Sequence, residues 1–180
     1  MILKKDFYFI RHGQTDFNVK AIMNRENESL NATGKQQAQQ AEKIIATLPI
    51  KTICFSSLNR VKETKEIISS QLNATHYEVP KLGEVTKFIW DDLTKAGPSA
   101  LESPLPHLQE FFEGIRNGLT EALTKDEPVL IVAHRSTHWA ICCLLDIQEH
   151  EWVIDNCIPV HFSVDAAGKW KAQKLQPLFL

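Results

Sequence analysis

Short apolar runs alternate along most of the chain with longer segments in which apolar residues recur every three or four positions. Runs of β-branched and aromatic residues are typical of buried strands, and the second pattern is typical of helices that pack one face against a sheet. The last two runs flank a short Ala-Ala-Gly turn and predict a closing hairpin. In all, the runs predict strands at 7–10, 51–56, 75–79, 129–133, 157–164 and 170–175.

Four helices are predicted between these strands. The first starts at Asn31 or at Thr33, two equally suitable N-caps, and the others begin near 57–60, at Pro104 and at Trp139. The fourth strand is apolar at every position, which is typical of a central parallel strand. This order of strands and helices predicts an α/β fold with a largely parallel central sheet.

Two segments show neither the apolar runs typical of strands nor the three-to-four-residue apolar spacing typical of helices. Asp16 to Leu30 is polar and rich in asparagine, and it predicts a loop over the edge of the sheet. Lys81 to Ser103 predicts an irregular segment. Long irregular segments in compact domains are more often functional than idle, so we expect both to lie near a site.

The composition narrows the choice of function. A length of 180 residues with 43% hydrophobic residues predicts a single domain over 1–180. The net charge of −2 argues against a nucleic-acid-binding stripe and a membrane-binding surface. No run approaches the roughly 20 apolar residues of a membrane span, and the N-terminal apolar stretch is too short for a signal peptide, so we expect a cytoplasmic protein.

Apolar surroundings without metal-ligand spacing predict reduced core thiols at Cys54, Cys142, Cys143 and Cys157.

Cationic and imidazole side chains follow the apolar runs. Arg11 and His12 come directly after the first run, and His134 with Arg135 comes directly after the fourth. Because the carboxyl ends of parallel strands meet at one edge of a sheet, these side chains should lie close together. Arg60 falls in the first turn of the second helix, where unpaired N–H groups already favour anions. The sequence therefore predicts an anion site at this edge.

This set of residues suits phosphoryl transfer to a histidine. A neutral imidazole, here His12, attacks phosphorus in line while guanidinium groups bind the oxygens over which charge spreads. The leaving oxygen needs a proton, which a carboxylic acid in the pocket supplies. Glu84 is the first candidate for this acid. The other candidates are Asp16, Asp91 and Asp92.

Four segments together resemble the motifs of the histidine phosphatase superfamily, the phosphoglycerate mutase-like proteins. The matches agree in order and spacing from about residue 6 to about residue 142, and jointly they are highly specific. They are Arg11-His12-Gly13-Gln14-Thr15 with Asn18, Ser56-Ser57-Leu58-Asn59-Arg60 with Thr64, Leu82-Gly83-Glu84 with Trp90, and Val132-Ala133-His134.

The resemblance implies a fold, a mechanism and a partner. The fold is a three-layer α/β/α sandwich, and the mechanism is a phosphohistidine on His12 with proton transfer by Glu84. It implies neither a metal nor a cofactor, and its partner is a small phosphorylated substrate. The phosphate pocket that it implies is formed by Arg11, Asn18, Arg60 and His134.

The chain departs from the family pattern at three positions. Arg135 stands where the family usually has glycine after the second histidine, and we expect this cation to contact substrate or to narrow the pocket. Gly83 replaces the arginine that usually precedes the acid, and Phe88 replaces a glycine that commonly precedes the tryptophan.

Several alternatives stay open. The preferred function is a metal-independent phosphatase. A phosphoglycerate mutase-type phosphotransferase is less favoured, because mutases usually carry longer insertions around the site and 180 residues leave little room for them. A non-catalytic phosphate-binding domain is the third possibility. His134 and His138, four residues apart, could suggest a zinc pair, but no third ligand has suitable local spacing. Selectivity among phosphorylated substrates and the oligomeric state are left undetermined.

Overall fold

Six strands form one mixed sheet in the computed structural model, which describes residues 2–22 and 27–176. In space they follow the order β3-β2-β4-β1-β5-β6; the first four run parallel, and β5 and β6 are each antiparallel to the strand before them in this order. The predicted largely parallel sheet and its closing hairpin are confirmed. The strands are β1 (Phe7–Arg11), β2 (Thr52–Phe55), β3 (Thr75–Glu78), β4 (Val129–Ala133), β5 (Pro159–Val164) and β6 (Trp170–Lys174).

Helices cover both faces of this sheet. Within the described ranges, none of them is long and apolar enough to cross a membrane. Two short 3₁₀ helices cover Pro80–Leu82 and Gly97–Glu102. The α-helices are α1 (Asp16–Val19), α2 (Ala32–Ile45), α3 (Asn59–Ile68), α4 (Lys87–Ala96), α5 (Pro106–Leu123) and α6 (Arg135–Leu144).

The sheet separates two apolar cores because side chains along each strand alternate between its faces. Phe7 and Phe9 on β1 pack into a core with α5 and α6, whereas Ile10 packs into a second core with α2 and α3. Five apolar residues spaced three and four positions apart along α5 are all buried in the first core: Leu108, Phe112, Ile115, Leu119 and Leu123. The structure is therefore the predicted three-layer α/β/α sandwich.

Two helix starts differ in how well the sequence predicted them. Asn31 is the N-cap of α2, since its side chain accepts a hydrogen bond from the Gly34 N–H at 2.9 Å. Helix α6 begins at Arg135, four residues before the predicted start at Trp139. The first turn of α6 buries the hydroxyl residues Ser136 and Thr137, so an apolar pattern could not reveal it.

Both predicted irregular segments contain helix. Thr15 and Asn18 form a capping box that starts the single turn of α1 inside the predicted loop, which continues into residues 23–26, outside the described residues. The segment from Lys81 to Ser103 is largely helical, so that prediction is wrong. Its apolar side chains Ile89 and Leu93 face the core at helical spacing. The charged residues between and beside them made this helical spacing hard to recognise in the sequence.

The turn after β1 lies in backbone contact with the first turn of α2. A Cβ atom at Gly13 would lie 2.4 Å from the Gly34 carbonyl oxygen, and a Cβ at Gly34 would lie 2.1 Å from the Gln14 carbonyl oxygen. No side chain fits between these two backbones. The two glycines therefore fix the path of the segment that carries His12.

Gly34→Ala is expected to lower the free energy of unfolding by about 1–3 kcal/mol, because the new methyl group overlaps backbone that cannot move aside easily. The matched control is Gly114→Ala in the middle of α5, where nothing lies within 4 Å of the added Cβ. That variant should be more stable by up to about 1 kcal/mol, since alanine favours helix over glycine. Urea denaturation measures both, and equal stability of Gly34→Ala and the wild type would contradict the close contact.

Candidate functional site

Strand pairing places the two predicted histidines side by side. Arg11 at the end of β1 pairs in parallel register with Ala133 at the end of β4, and the His12 N–H donates to the Ala133 carbonyl at 3.0 Å. His12 and His134 therefore leave the same edge of the sheet next to each other. Their rings meet edge to face with centroids 5.3 Å apart.

His12 is held as a neutral imidazole with a defined tautomer. Its Nδ1 lies 2.7 Å from the Gly13 carbonyl oxygen, which only accepts hydrogen bonds, so Nδ1 carries the proton and Nε2 carries the lone pair. The side chain is buried, with 1% of its surface exposed. Burial and the nearby Arg11 and Arg60 guanidinium groups hold the pKa of His12 well below its ordinary value.

His134 is fully buried beside it. Its Nε2 lies 2.8 Å from the Ser56 hydroxyl, and its Nδ1 lies 3.5 Å from a carboxylate oxygen of Glu84. That Nδ1 is buried and has no hydrogen-bond partner among the described residues. Burial and the neighbouring His12 hold the pKa of His134 well below its ordinary value.

Two buried arginines supply the positive charge. An Nη1–H of Arg11 donates to the Ile154 carbonyl at 2.8 Å, and its Nε is buried without a hydrogen-bond partner among the described residues. Burial lowers the pKa of Arg11 to about 10, which still leaves it charged at neutral pH. Arg60 is buried in the first turn of α3, where Thr64 links it to the turn after β1. The Thr64 hydroxyl donates to the Arg60 carbonyl at 2.7 Å and accepts the Gly13 N–H at 2.9 Å.

Glu84 is the carboxylate that the fold brings to the histidines. It is buried between the first 3₁₀ helix and α4, where its Oε1 accepts hydrogen bonds from the Ser136 hydroxyl and from the Val85 N–H, the latter at 3.0 Å. The three other candidate acids have partners of their own, although Asp91 and its partner Lys87 also line the site. Asp16 accepts a bond from Asn31, Asp91 pairs with Lys87, and Asp92 bonds to His107.

Asn18 lines the same site, where two hydrogen bonds to its side-chain amide oxygen hold it in place. Its Oδ1 accepts bonds from the Thr15 N–H and from Asn156 Nδ2, both at 3.2 Å, so its amide NH₂ is the group it can offer to an anion. Asn156 also donates to the His12 carbonyl at 2.8 Å. No pattern in the sequence indicated Asn156, which lies in an irregular segment between α6 and β5.

Arg135 completes the site as a cation stacked on an aromatic ring. Its guanidinium lies 4.8 Å from the centroid of the Trp90 ring, and its Nε is buried with no hydrogen-bond partner among the described residues. Both side chains line a cavity of about 250 Å³. The structure thus places the predicted pocket residues at one edge of the sheet, whereas the candidate acids Asp16 and Asp92 do not line the cavity. The other predicted residues that line the cavity are Arg11, Asn18, Arg60, Glu84 and the candidate acid Asp91.

The arrangement favours an anion over a cation. Nitrogen and oxygen atoms of His12, Glu84 and His134 lie within 4.8 Å of one another, which is a possible metal geometry. However, the guanidinium groups around them repel a cation, since charges interact strongly in a buried site. His138, four residues after His134, is not part of this group, and its Nδ1 donates to the Trp152 carbonyl at 2.9 Å.

Comparisons of the sequence with known proteins agree with this geometry. A family model described as the histidine phosphatase superfamily (branch 1) matches residues 7–175. The uncharacterized phosphatase PhoE of Bacillus subtilis is 29% identical over 183 residues, covering 86% of this chain and 95% of PhoE. An agropine synthesis reductase of Rhizobium rhizogenes is 38% identical over 182 residues, covering 88% of this chain but 39% of the reductase. This chain therefore spans about two fifths of that longer protein.

Solved structures share the fold. A mycobacterial glucosyl-3-phosphoglycerate phosphatase in complex with VO3 aligns with a TM-score of 0.69 and 21% identity, covering 94% of this chain and 97% of that chain. A putative alpha-ribazole-5'-P phosphatase from Escherichia coli aligns with a TM-score of 0.72 and 17% identity, covering 97% of each chain. At these identities the likeness establishes the phosphoglycerate mutase-like sandwich and nothing finer.

Proposed function

Because the chain belongs to the histidine phosphatase superfamily, we propose that it is a phosphoric monoester hydrolase that works through a phosphohistidine on His12. The observation that carries this proposal is the state of His12. A buried, neutral imidazole with its proton on Nδ1 presents an Nε2 lone pair among guanidinium groups. Binding of phosphate alone would need the arginines but not a nucleophile of this kind, so a non-catalytic domain is disfavoured.

In the proposed first step, Nε2 of His12 attacks the phosphorus atom of the substrate. The bond between phosphorus and the ester oxygen breaks, and Glu84 protonates the leaving oxygen. Charge on the three remaining oxygens is stabilised by Arg11 and Arg60, which keep their charge and are held in place before the reaction. The other proposed contacts to these oxygens are the Asn18 amide, His134 and Arg135.

In the second step, water attacks the phosphohistidine. Glu84, now a carboxylate, takes a proton from this water, the bond between phosphorus and Nε2 breaks, and His12 returns to its neutral form with release of inorganic phosphate. The hydrogen bond between Nδ1 and the Gly13 carbonyl preserves the tautomer through both steps. No step requires a metal ion.

A second cavity suggests where the organic part of the substrate lies. Glu84 lines both the smaller cavity and an adjoining one of about 620 Å³. A leaving oxygen that receives its proton from Glu84 would project the attached group into this larger space. Its wall includes the aromatic Phe111, the cationic Lys81 and the imidazole of His107, which suits an organic group with both polar and apolar parts.

Mutase activity is the second candidate, because the same phosphohistidine serves both reactions. Relatives named probable phosphoglycerate mutase GpmB support it, such as the Escherichia fergusonii protein at 27% identity over 79% of this chain and 64% of that protein. Hydrolysis is preferred because PhoE, which this chain matches along almost its whole length, is named a phosphatase. Product analysis with 3-phosphoglycerate separates the two, since only a mutase returns an isomeric phosphoglycerate.

Replacing the nucleophile tests the proposal. His12→Gln should lower phosphate release from a panel of phosphomonoesters by about 10³-fold or more, because the glutamine amide cannot attack phosphorus as the imidazole does. Wild-type turnover should persist in EDTA. His76→Gln, on edge strand β3, is the matched control and should keep full activity. Near-wild-type turnover by His12→Gln would overturn the mechanism, and loss of wild-type turnover in EDTA would overturn its metal independence.

Substrates that differ in their leaving group test the role of Glu84. Glu84→Gln should reduce hydrolysis of an alkyl phosphate by about 10²–10⁴-fold, because the alkoxide then leaves without a proton. Release of nitrophenol from p-nitrophenyl phosphate in the first turnover should fall far less, since that phenolate leaves unaided. Asp92→Asn serves as the control acid. Equal losses for both leaving groups would show that Glu84 does not act as the proton donor.

A further inference from the structure

A second cluster of ionisable side chains lies outside the proposed catalytic site. His138 and Cys142 are four residues apart on α6 and so project from the same face of the helix, and His150 comes from the segment that follows. One donor atom from each residue lies within 4.8 Å of the other two. His138 and Cys142 are fully buried, whereas His150 is partly exposed.

The donor atoms lie close together, with the Cys142 sulfur beside the His138 ring, 3.9 Å from its Nδ1 and 3.8 Å from its Nε2. His138 donates its Nδ1–H to the Trp152 carbonyl at 2.9 Å, so its Nε2 carries a lone pair. That Nε2 lies 3.2 Å from Nε2 of His150 and 3.8 Å from Sγ of Cys142. A hydrogen bond from His138 to a backbone carbonyl is the arrangement that commonly orients a metal-binding imidazole.

We propose that His138, Cys142 and His150 form a binding site for Zn²⁺, separate from the catalytic pocket. Zinc ligands at about 2.0–2.1 Å for nitrogen and about 2.3 Å for sulfur, in tetrahedral geometry, stand about 3.3–3.4 Å apart for two nitrogens and about 3.6 Å for nitrogen and sulfur. The observed separation of 3.2 Å between the two nitrogens is close to the first span, and the sulfur, at 3.8 Å from Nε2, must move from beside the His138 ring toward the Nε2 lone pair when zinc binds. Two imidazoles and a thiolate are also a ligand set that zinc prefers.

The charges around the cluster permit a cation. Lys174 acts electrostatically on both histidines, and its ammonium pairs with the Glu151 carboxylate. Arg11 also acts on His138, and its guanidinium donates to the Ile154 carbonyl. Binding forms bonds from zinc to two neutral imidazoles and to the Cys142 thiolate, and the thiol proton leaves to solvent. His150 Nε2 donates its proton to the His138 Nε2 lone pair in the zinc-free protein. When zinc binds, this proton moves to His150 Nδ1, so the charge of the imidazole does not change. Water takes the fourth position, which the partly exposed His150 leaves accessible.

Zinc at this position would restrain the segment that supports the catalytic pocket. His150 begins a stretch in which the Ile154 carbonyl accepts a bond from Arg11 and Asn156 donates to the His12 carbonyl. Fixing His150 to α6 shortens the free part of that stretch. We therefore assign the site a structural role and expect zinc to raise thermal stability.

Cobalt(II) titration of chelator-treated protein tests the site. Co²⁺ should produce a saturable thiolate-to-cobalt charge-transfer band at a single equivalent per chain, and Zn²⁺ should abolish it by displacement. The band distinguishes this site from the catalytic pocket, because no cysteine is among the described residues that line that pocket. Cys142→Ser and His150→Ala should each lose the band, whereas Cys143→Ser, which alters the adjacent thiol that contacts the Pro98 carbonyl, should keep it.

A thermal measurement accompanies the spectra. Saturating Zn²⁺ should raise the unfolding midpoint of the wild type by about 5 °C and should not raise that of His150→Ala. Because His150 is partly exposed, that variant is expected to fold, and circular dichroism checks this. Absence of the charge-transfer band in wild-type protein, or a band of full strength in His150→Ala, would overturn the proposal.

Discussion

The parallel pairing of β1 with β4 is the constraint on which the rest of the site depends. It ends with Arg11 opposite Ala133 and with the His12 N–H bonded to the Ala133 carbonyl, so the next side chains of both strands emerge together. A shift of one residue in this register would send one histidine to the opposite face of the sheet. The close glycine contact between the β1 turn and α2 then fixes the depth at which His12 lies.

Desolvation shapes the chemistry of this pocket. Burying guanidinium groups is costly unless hydrogen bonds or an anion compensate, and Arg11 has only part of its hydrogen-bonding capacity used by the Ile154 carbonyl. A bound phosphoryl group would supply the missing acceptors. The same burial disfavours protonation of His12 and His134. One physical cause therefore keeps the proposed nucleophile neutral and strengthens the attraction of the pocket for an anion.

Local patterns in the sequence predicted the α/β class with a largely parallel sheet, whereas the three-layer sandwich and pocket residues such as Asn18 came from the resemblance to the histidine phosphatase superfamily. Apolar runs marked the strands, and the residues after them, Arg11, His12 and His134, had to meet at one edge. The sequence could not predict Asn156, or the bond from Ser136 to Glu84, because these contacts depend on how irregular segments and polar helix turns pack. The grouping of Cys142 with His150 was likewise hidden, since its members are not spaced like a local metal motif.

The central claim is that phosphate passes through His12, and trapping the intermediate tests it most directly. Glu84→Gln treated with p-nitrophenyl phosphate should form the phosphoenzyme, since that leaving group needs no acid, and should break it down slowly, since water then lacks its base. After quenching under alkaline conditions, which preserve phosphohistidine, mass spectrometry should locate the phosphate on His12. Phosphate on another residue, or turnover with no phosphorylated protein at any time, would contradict the account.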